Sequence, residues 1–348
     1  MVFRSIYTNF AADMDVISMP FWAWFLFYAL VIAMLYIDLK LFGRKGQHEV
    51  SIKEALTMTC VWIAVSLIFC GGIWHFEGDD KAMEFLAGYL IEKSLSMDNL
   101  FVFLMLFSFF GIQRKYQHEV LFWGIFGALI LRSIFIFAGA AMVQRFEWIL
   151  GIFGVFLIYT GIKMFSHKDE SVDPSKNFFV KIFKRFFPVT DQMHEDKFFV
   201  KELKREGEKE TMKLLATPLF VALIVIETTD VAFAVDSIPA VFSVSRDPFI
   251  VLTSNIFAIL GLRALYFALA AIAKYFEYLK YGLGIILSFV GVKMLLGMDK
   301  YINKFGHFLG CSINMEPIHI STSTSLLIIF GVLVLSMLLS VLLTKREA

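Results

Sequence analysis

The sequence predicts an all-α fold: a polytopic membrane helix bundle of about nine spans, with an inverted repeat of two three-helix units. Two observations predict a membrane bundle. The 348 residues are 58% hydrophobic and only 18% charged, too apolar for an ordinary soluble domain. Apolar runs long enough to cross a bilayer also recur along the whole chain. A third observation, the alignment of one half of the chain with the other, predicts the repeat.

The predicted spans are runs of about 18 or more mostly apolar residues, enough to cross roughly 30 Å of hydrocarbon as helix. They cover residues 21–42, 55–75, 84–110, 121–143, 146–166, 214–243, 249–273, 277–297 and 323–344. If the N-terminus lies outside, the connections between spans that then face the cytoplasm hold more Lys and Arg than those that face outside, as is typical of membrane proteins. That bias persists without the segment 167–213, so we expect an outside N-terminus and a cytoplasmic C-terminus.

The segment 167–213 concentrates the charge of the chain. It holds 11 Lys/Arg and 10 Asp/Glu, which is 21 of the 63 charged residues. We therefore expect it to be a cytoplasmic loop. Within it, residues 178–187 place phenylalanines at helical spacing opposite three cations, which is typical of a helix lying on an anionic leaflet. A short helix packed under the bundle would show the same pattern, so both interpretations stay open.

The segments 84–166 and 214–297 align with each other, and each contains three predicted spans. The first is preceded by a two-span region, 1–83, and the second is followed by a loop and the last span, 298–348. Charged residues occupy matching positions in the two segments. The acidic pair Glu92 and Asp98, six residues apart, matches Asp230 and Asp236, and Arg132 matches Arg263. Glu147 and Lys163, 16 residues apart, match Glu277 and Lys293. Three spans per unit place the second copy upside down in the membrane. This architecture is typical of secondary transporters, whose substrate sites lie near the midplane.

Acidic side chains inside predicted spans are the candidate functional site. Carboxylates at bilayer depth are costly and usually face a bundle interior or a cavity. The candidate cation ligands are Glu92, Asp98 and Asn99 on the third span and Glu227, Asp230 and Asp236 on the sixth. Carboxylate and amide oxygens suit a hard divalent cation such as Mg²⁺, Ca²⁺ or Mn²⁺, so the sequence predicts such a cation as a partner.

Pro239 is the predicted helix break of the sixth span. In a straight helix Glu227 and Asp230 share a face, whereas Asp236, nine residues after Glu227, points to the opposite side. A proline cannot donate the backbone hydrogen bond to the residue four positions earlier and displaces that carbonyl. We therefore expect a kink or an unwound turn before Pro239 that turns Asp236 inward.

Two arginines, Arg132 and Arg263, are the expected counter-charges of the carboxylates. Each lies in the middle of a span at the same position of its repeat unit. Structural ion pairing and a direct part in gating both predict such arginines. Lys163 and Lys293 lie near span ends, where lysines extend their amines towards the membrane surface.

Other functional classes find no support in the sequence. A net charge of +1 gives no basic face for nucleic acid. Three cysteines, Cys60, Cys70 and Cys311, form neither a disulfide framework nor a metal motif. No Ser/His/Asp or HExxH arrangement is visible, so we do not expect an enzyme. The oligomeric state is left open.

Long ungapped motifs surround these candidate residues. They are residues 88–99 (GYLIEKSLSMDN), 216–219 (ATPL), 227–230 (ETTD), 233–240 (FAVDSIPA) and 247–255 (DPFIVLTSN), the last running on through Arg263. On these motifs the chain resembles the TerC family, in its Alx-like branch of bacterial integral membrane proteins, over roughly residues 25–340. The resemblance implies a multi-pass protein of the bacterial inner membrane in the LysE-type transporter superfamily. It also implies manganese export, an alkaline-pH response and, in some members, tellurium resistance.

The resemblance further implies that the acidic motif residues Glu92, Asp98, Glu227, Asp230 and Asp236 form a cation path. From the residues and the resemblance together we expect a secondary transporter that exports Mn²⁺, with protons as the coupling ion and no tightly bound cofactor. The alternative is a membrane scaffold or assembly factor that does not transport. In that case the cytoplasmic loop would be functional and the acidic residues dispensable.

Overall fold

The computed structural model describes residues 19–43, 51–166, 178–190, 192, 194–206, 209–272, 279–299, 301, 303 and 320–347. Apart from one hairpin, the regular structure of this part of the chain is helical. The elements are α1 (Phe21–Gly43), α2 (Ile52–Glu77), α3 (Asp79–Phe109), α4 (Arg114–Arg145), α5 (Ile149–Ser166), α6 (Phe178–Phe186), β1 (Phe199–Glu206), β2 (Lys209–Ala216), α7 (Pro218–Phe242), α8 (Pro248–Leu260), α9 (Leu262–Ile272), α10 (Leu279–Leu296) and α11 (Thr322–Glu347).

Each predicted span coincides with one of these helices or, for 249–273, with the pair α8 and α9. Six helices are long and apolar enough to cross a membrane, and seven if the bent pair α8–α9 is one span. The helices α3 and α5 fall outside this group, because α3 carries many charged residues and the apolar part of α5, Ile149–Phe165, is short. The all-helical membrane bundle is confirmed with six or seven candidate spans, and the total of nine stays a prediction.

The hairpin is the element that the sequence did not predict. Strands β1 and β2 pair antiparallel, with Phe199 opposite Ala216. The predicted boundary at 214 was therefore wrong, since the next helix begins at Pro218. Proline favours the first turn of a helix and keeps the residue before it extended, and Thr217 has an extended backbone here.

The amphipathic helix predicted near 178–187 is present as α6. It packs on the start of α7, where the ring centroids of Phe183 and Phe220 are 5.2 Å apart. Val180 is buried, whereas Phe178 and Ile182 remain exposed. The contact supports a helix packed against the bundle, and the exposed apolar side chains leave a surface that can face a membrane.

Helix α8 forms the centre of the bundle, because every residue from Pro248 to Leu260 is buried. Helices α3 and α4 pack on it, and both also pack on α7. Helices α1, α2 and α11 lie at the periphery and expose large apolar side chains such as Phe25, Ile68 and Leu327. Such exposure is expected of helices that face lipid, where no hydrophobic effect drives these side chains inward.

Helices α5 and α10 cross closely and antiparallel through glycines. A Cβ atom built on Gly154 would lie 2.9 Å from the carbonyl oxygen of Gly291, and one on Gly284 would lie 2.8 Å from that of Gly161. Glycine is therefore required here for backbone contact, as in many membrane helix pairs.

The helix break lies at Gly261, and the predicted break at Pro239 was wrong. Helix α7 runs unbroken to Phe242, whereas α8 and α9 are bent by 41° relative to each other. Pro239 stands in the last turn of α7, so losing one backbone bond does not interrupt the helix before it. At the break, the Lys93 amine donates to the carbonyl oxygen of Ala258 at 3.1 Å, which stabilises the end of α8.

Three residues singled out in the sequence lie beyond what the structure describes. Glu277 of the repeat and Cys311 are outside the described residues, and Asp98 is described only as a position on α3. Cys60 and Cys70 are free thiols on α2, exposed and half-buried respectively.

Candidate cation site

Arg132 is the centre of the buried polar site. Its side chain extends from α4 and is almost completely buried. Nε donates to Oδ2 of Asp230 at 3.1 Å and Nη2 donates to Oδ1 at 2.8 Å, a two-point contact that fixes both groups. Nη1 donates to Oε1 of Glu92 on α3. Helices α3, α4 and α7 are therefore tied together by one guanidinium.

Neutral oxygens complete the surroundings of Arg132. Nη1 also contacts the Ser237 hydroxyl at 3.4 Å and Oδ1 of Asn255 at 3.3 Å. The Ser96 hydroxyl donates to Oε1 of Glu92 at 3.2 Å. Five oxygen-bearing side chains from α3, α7 and α8 thus lie around one point inside the bundle: Glu92, Ser96, Asp230, Ser237 and Asn255.

The charges at this point do not cancel. Glu92 and Asp230 carry two negative charges when ionised, and Arg132 supplies one positive charge. Burying an ion is costly unless it is paired and hydrogen-bonded. Yet Oε2 of Glu92 is buried and contacts no donor among the described residues. The site therefore has unused capacity for positive charge.

Glu227 lies one turn before Asp230 on α7. Its Oε2 is also buried without a partner among the described residues. The carboxylate lies directly over Gly127 of α4, and a Cβ atom at that glycine would collide with it. Gly127 therefore creates the space that Glu227 occupies.

Asp236 does not join this group, although it lies on the same helix. Its polar neighbours are Thr160 and Lys163 on α5. This is what a straight α7 dictates, because nine residues from Glu227 correspond to the opposite side of a helix. Asn99 is buried on α3, and nothing is described of the Asp98 side chain beside it.

Arg263 forms a second buried ion pair, with a partner that the sequence analysis missed. Its Nη2 donates to Oδ2 and to the main-chain oxygen of Asp38 on α1, both at 2.6 Å. Asp38 is the one acidic residue of the mostly apolar predicted span 21–42, which is the signal that could have identified it. The expected pairing of Arg263 with the carboxylates of α3 and α7 is thus replaced by a tie to the first helix.

The structure brings Glu92 and Asp230 together and places Glu227 one turn away. Among the described side chains no group of three or more His, Cys, Asp or Glu residues is close enough to hold a metal ion. The predicted convergence of all five carboxylates was therefore wrong for Asp236, which faces α5. For Asp98, whose side chain the structure does not describe, it stays a prediction. What the described geometry offers is two carboxylates, an amide and hydroxyls, an all-oxygen set of the kind that hard cations bind.

The two ends of α3 differ in how they are closed. At its start, Lys81 bridges Glu84 and Asp247, each at 3.2 Å, and the Ser245 hydroxyl donates to Glu84 at 2.6 Å. At its other end a cavity of about 500 Å³ opens beside Gln117. A much smaller cavity touches Asp230 itself and is bounded by α3, α4, α7 and the α8–α9 break.

Comparison with known proteins places the chain in a family. Residues 77–348, more than half of the chain, match the family described as "Integral membrane protein TerC family". The chain belongs to the TerC family. The matched region contains Glu92, Arg132, Asp230 and Arg263, whereas Asp38 lies before it.

Several relatives match most of the chain. "Putative membrane-bound redox modulator Alx" of Escherichia coli (strain K12) is 45% identical over 330 residues, which cover 92% of this chain and 94% of the relative. The protein of the same name from Photorhabdus laumondii is 46% identical over 295 residues, covering 82% and 89%. "Uncharacterized membrane protein STKORF319" of Myxococcus xanthus is 49% identical over 273 residues, covering 78% and 83%. No solved structure matches the chain.

Proposed function

We propose that this TerC protein is a secondary transporter of the bacterial inner membrane that exports a divalent cation, Mn²⁺. One observation carries the proposal: Glu92 and Asp230 meet around Arg132 inside a membrane bundle, with the neutral oxygens of Ser237 and Asn255 beside them. Burying such a group is costly, and apolar residues of similar size often stabilise a core as well, so ionisable residues at bilayer depth favour a functional site.

The choice of cation follows from the ligand chemistry and the family. Hard oxygen ligands without thiolate or imidazole suit Mg²⁺, Ca²⁺ and Mn²⁺. The motifs that resemble the TerC family favour Mn²⁺ among these three. The cation is the substrate in this proposal, and no resident cofactor takes part.

An inverted repeat supplies the alternating access that such a transporter needs. The alignment that matches Gly161 with Gly291 also matches Gly154 with Gly284. The observed contacts are crosswise, Gly154 with Gly291 and Gly161 with Gly284, as a two-fold axis between α5 and α10 requires. The packing of α3 on α8 and of α4 on α7 is crosswise in the same way. These contacts support the repeat.

Orientation is the next part of the proposal. With the N-terminus outside, the cavity beside Gln117 opens to the cytoplasm and the Lys81 cluster closes the outer end. In this orientation the structure is a state that is open to the cytoplasm, from which the cation would enter. The loop with α6 and the hairpin lies on the cytoplasmic side.

Protons are the proposed coupling ion. Protons and Mn²⁺ compete for the same carboxylates, so cation binding releases protons and tightens as the pH rises. This coupling requires no second site. It also fits the alkaline-pH response that the resemblance to the TerC family implies.

Cellular manganese is the direct test. Cells that lack their own manganese exporters should be protected from Mn²⁺ by the wild-type protein and should accumulate less of it. Asp98→Asn and Asp230→Asn keep the side-chain shape and remove one charge, so each should abolish protection at wild-type protein level. Glu147→Gln, in an exposed ion pair with Arg246, is the matched control and should keep protection.

The alternative function is a scaffold or assembly factor without transport. The exposed apolar side chains of α6 and β2, among them Phe178, Met212 and Leu214, favour a docking role for the loop. If the Asn variants protect cells as well as the wild type does, and substitution of these exposed residues removes protection, the scaffold replaces the transporter.

A further inference from the structure

Arg132 occupies the position that a cation would take. Its guanidinium contacts carboxylate oxygens of Glu92 and Asp230, the Ser237 hydroxyl and the amide oxygen of Asn255. All these acceptors are of the types that ligate hard divalent cations. The side chain is almost completely buried, so bulk solvent does not reach these contacts.

We propose that Arg132 is a built-in counter-ion: it fills the cation site of the empty protein, and a divalent cation must displace it to bind. The inference rests on the proposed function and adds to it a residue that determines which cations are accepted. It also accounts for the absence of an open carboxylate cluster among the described residues.

Charge determines the selectivity. The carboxylates of Glu92 and Asp230 sum to two negative charges, and Arg132 leaves one of them uncompensated. A divalent cation in place of the guanidinium neutralises the pair, provided that the displaced guanidinium moves away from both carboxylates, as the proposal requires. A monovalent cation would leave the same net charge and would forfeit the two-point bond to Asp230, since arginine matches a carboxylate better than a single ion does. Arg132 should therefore exclude Na⁺ and K⁺ from the site.

Two unpartnered oxygens are consistent with an incoming cation. Oε2 of Glu92 is buried and accepts no hydrogen bond from a described donor, although Oε1 of the same carboxylate contacts Arg132 and Ser96. Oε2 of Glu227 is in the same state. The guanidinium of Arg132 donates no hydrogen bond to either of these oxygens. A divalent cation with six or more oxygen ligands could use them.

Binding of Mn²⁺ to the purified protein tests this proposal. The probe is the electron paramagnetic resonance signal of free Mn²⁺, measured with the wild type, Arg132→Gln, Arg132→Lys and the control Arg246→Gln, whose arginine forms an exposed ion pair. We expect Arg132→Gln to bind Mn²⁺ at least about tenfold more tightly than the wild type, because the competing charge is gone. Arg132→Lys should fall between them, and the control should match the wild type. Excess K⁺ should weaken Mn²⁺ binding to Arg132→Gln and not to the wild type.

If Arg132→Gln is too unstable for binding measurements, its unfolding temperature with and without Mn²⁺ provides a second test. The unpaired carboxylates should lower its unfolding temperature, and Mn²⁺ should restore it by more than it raises that of the wild type. Weaker or equal Mn²⁺ binding by Arg132→Gln, with normal binding by the wild type, would show that Arg132 holds the site together and would overturn this inference alone. Failure of the wild type itself to bind Mn²⁺ would overturn the proposed function and this inference with it.

Discussion

At the scale of the residue, two buried arginines determine how charge is distributed in the bundle. Arg132 joins Glu92 and Asp230, and Arg263 joins Asp38. Both are nearly inaccessible to water, so their partners are held by strong, poorly screened interactions. The two sites differ in how many oxygen ligands they could offer a cation. The site of Arg132 assembles acidic and neutral oxygens from three helices, whereas Arg263 ties one helix to the core.

Asp230→Asn should destabilise the protein as well as impair transport. The substitution removes one partner of a buried ion pair and weakens the two-point contact with Arg132. We expect a loss of about 3 kcal/mol of unfolding free energy, measured by thermal or denaturant unfolding in detergent. Glu147→Gln, in an exposed pair, should change stability by less than about 1 kcal/mol. Equal effects of the two substitutions would contradict the assigned burial.

Gly127→Ala should impair the site without touching a charge. The added methyl group would collide with the Glu227 carboxylate and push it out of its place. We expect a moderate loss of stability, about 1–3 kcal/mol, with a large loss of manganese protection. Gly71→Ala on α2 is the control, since a Cβ there meets nothing within 4 Å. Wild-type protection by Gly127→Ala would argue that Glu227 takes no part in transport.

The sequence identified Glu92, Asp230 and Arg132 because charges in apolar runs are conspicuous. It could not determine their contacts, since Arg132 meets residues 40 and 98 positions away and such pairings depend on how the helices pack. Asp38 was not predicted as a partner because it lies on the first span, outside the repeat.

At the scale of the element, helix irregularity follows position as much as residue type. Pro239 leaves α7 unbroken because it lies in the final turn, whereas Gly261 separates α8 from α9 with a bend of 41°. In a sequence, a proline is the more obvious sign of a helix break. Whether a glycine breaks a helix depends on the residues that pack around it. The hairpin was missed for a related reason: its charged strands read as a loop and its last residues as the start of a span.

The crossing of α5 and α10 should be sensitive to single methyl groups. Gly154→Ala would place a Cβ atom 2.9 Å from the backbone oxygen of Gly291, which cannot move aside as a side chain can. We expect the substitution to lower the unfolding free energy by about 1–3 kcal/mol. Gly331→Ala on α11, where the space is open, should leave the unfolding temperature unchanged. An unchanged Gly154→Ala would mean that the two helices do not approach this closely.

At the scale of the whole molecule, hydropathy predicted a membrane bundle correctly because the lipid-facing helices α1, α2 and α11 are apolar almost throughout. The number of spans was harder to predict from the sequence. Helix α3 mixes site residues with apolar ones, and α5 is short, so composition and length alone do not decide whether they cross. The charged residues of α3 thus obscure its span signal, whereas α4 and α7, which supply Arg132 and Asp230, are still recognised as candidate spans.

Cysteine labelling in sealed cells tests the orientation. On a background without native cysteines, Ser243→Cys, just after α7, should react with a membrane-impermeant reagent added outside. Ser171→Cys in the charged loop should react only after the membrane is permeabilised. Labelling of Ser171→Cys but not of Ser243→Cys in intact cells would reverse the proposed topology.

Transport of Mn²⁺ by the purified protein in liposomes tests the central claim most directly. With a manganese-sensitive dye inside, the wild type should carry Mn²⁺ across the membrane, faster at pH 8 than at pH 6 because protons then compete less for the carboxylates. Asp230→Asn should reduce the rate to that of empty liposomes, and Glu147→Gln should leave it unchanged. Wild-type transport by Asp230→Asn, or no transport by the wild type itself, would contradict the proposal that the carboxylates around Arg132 carry the cation.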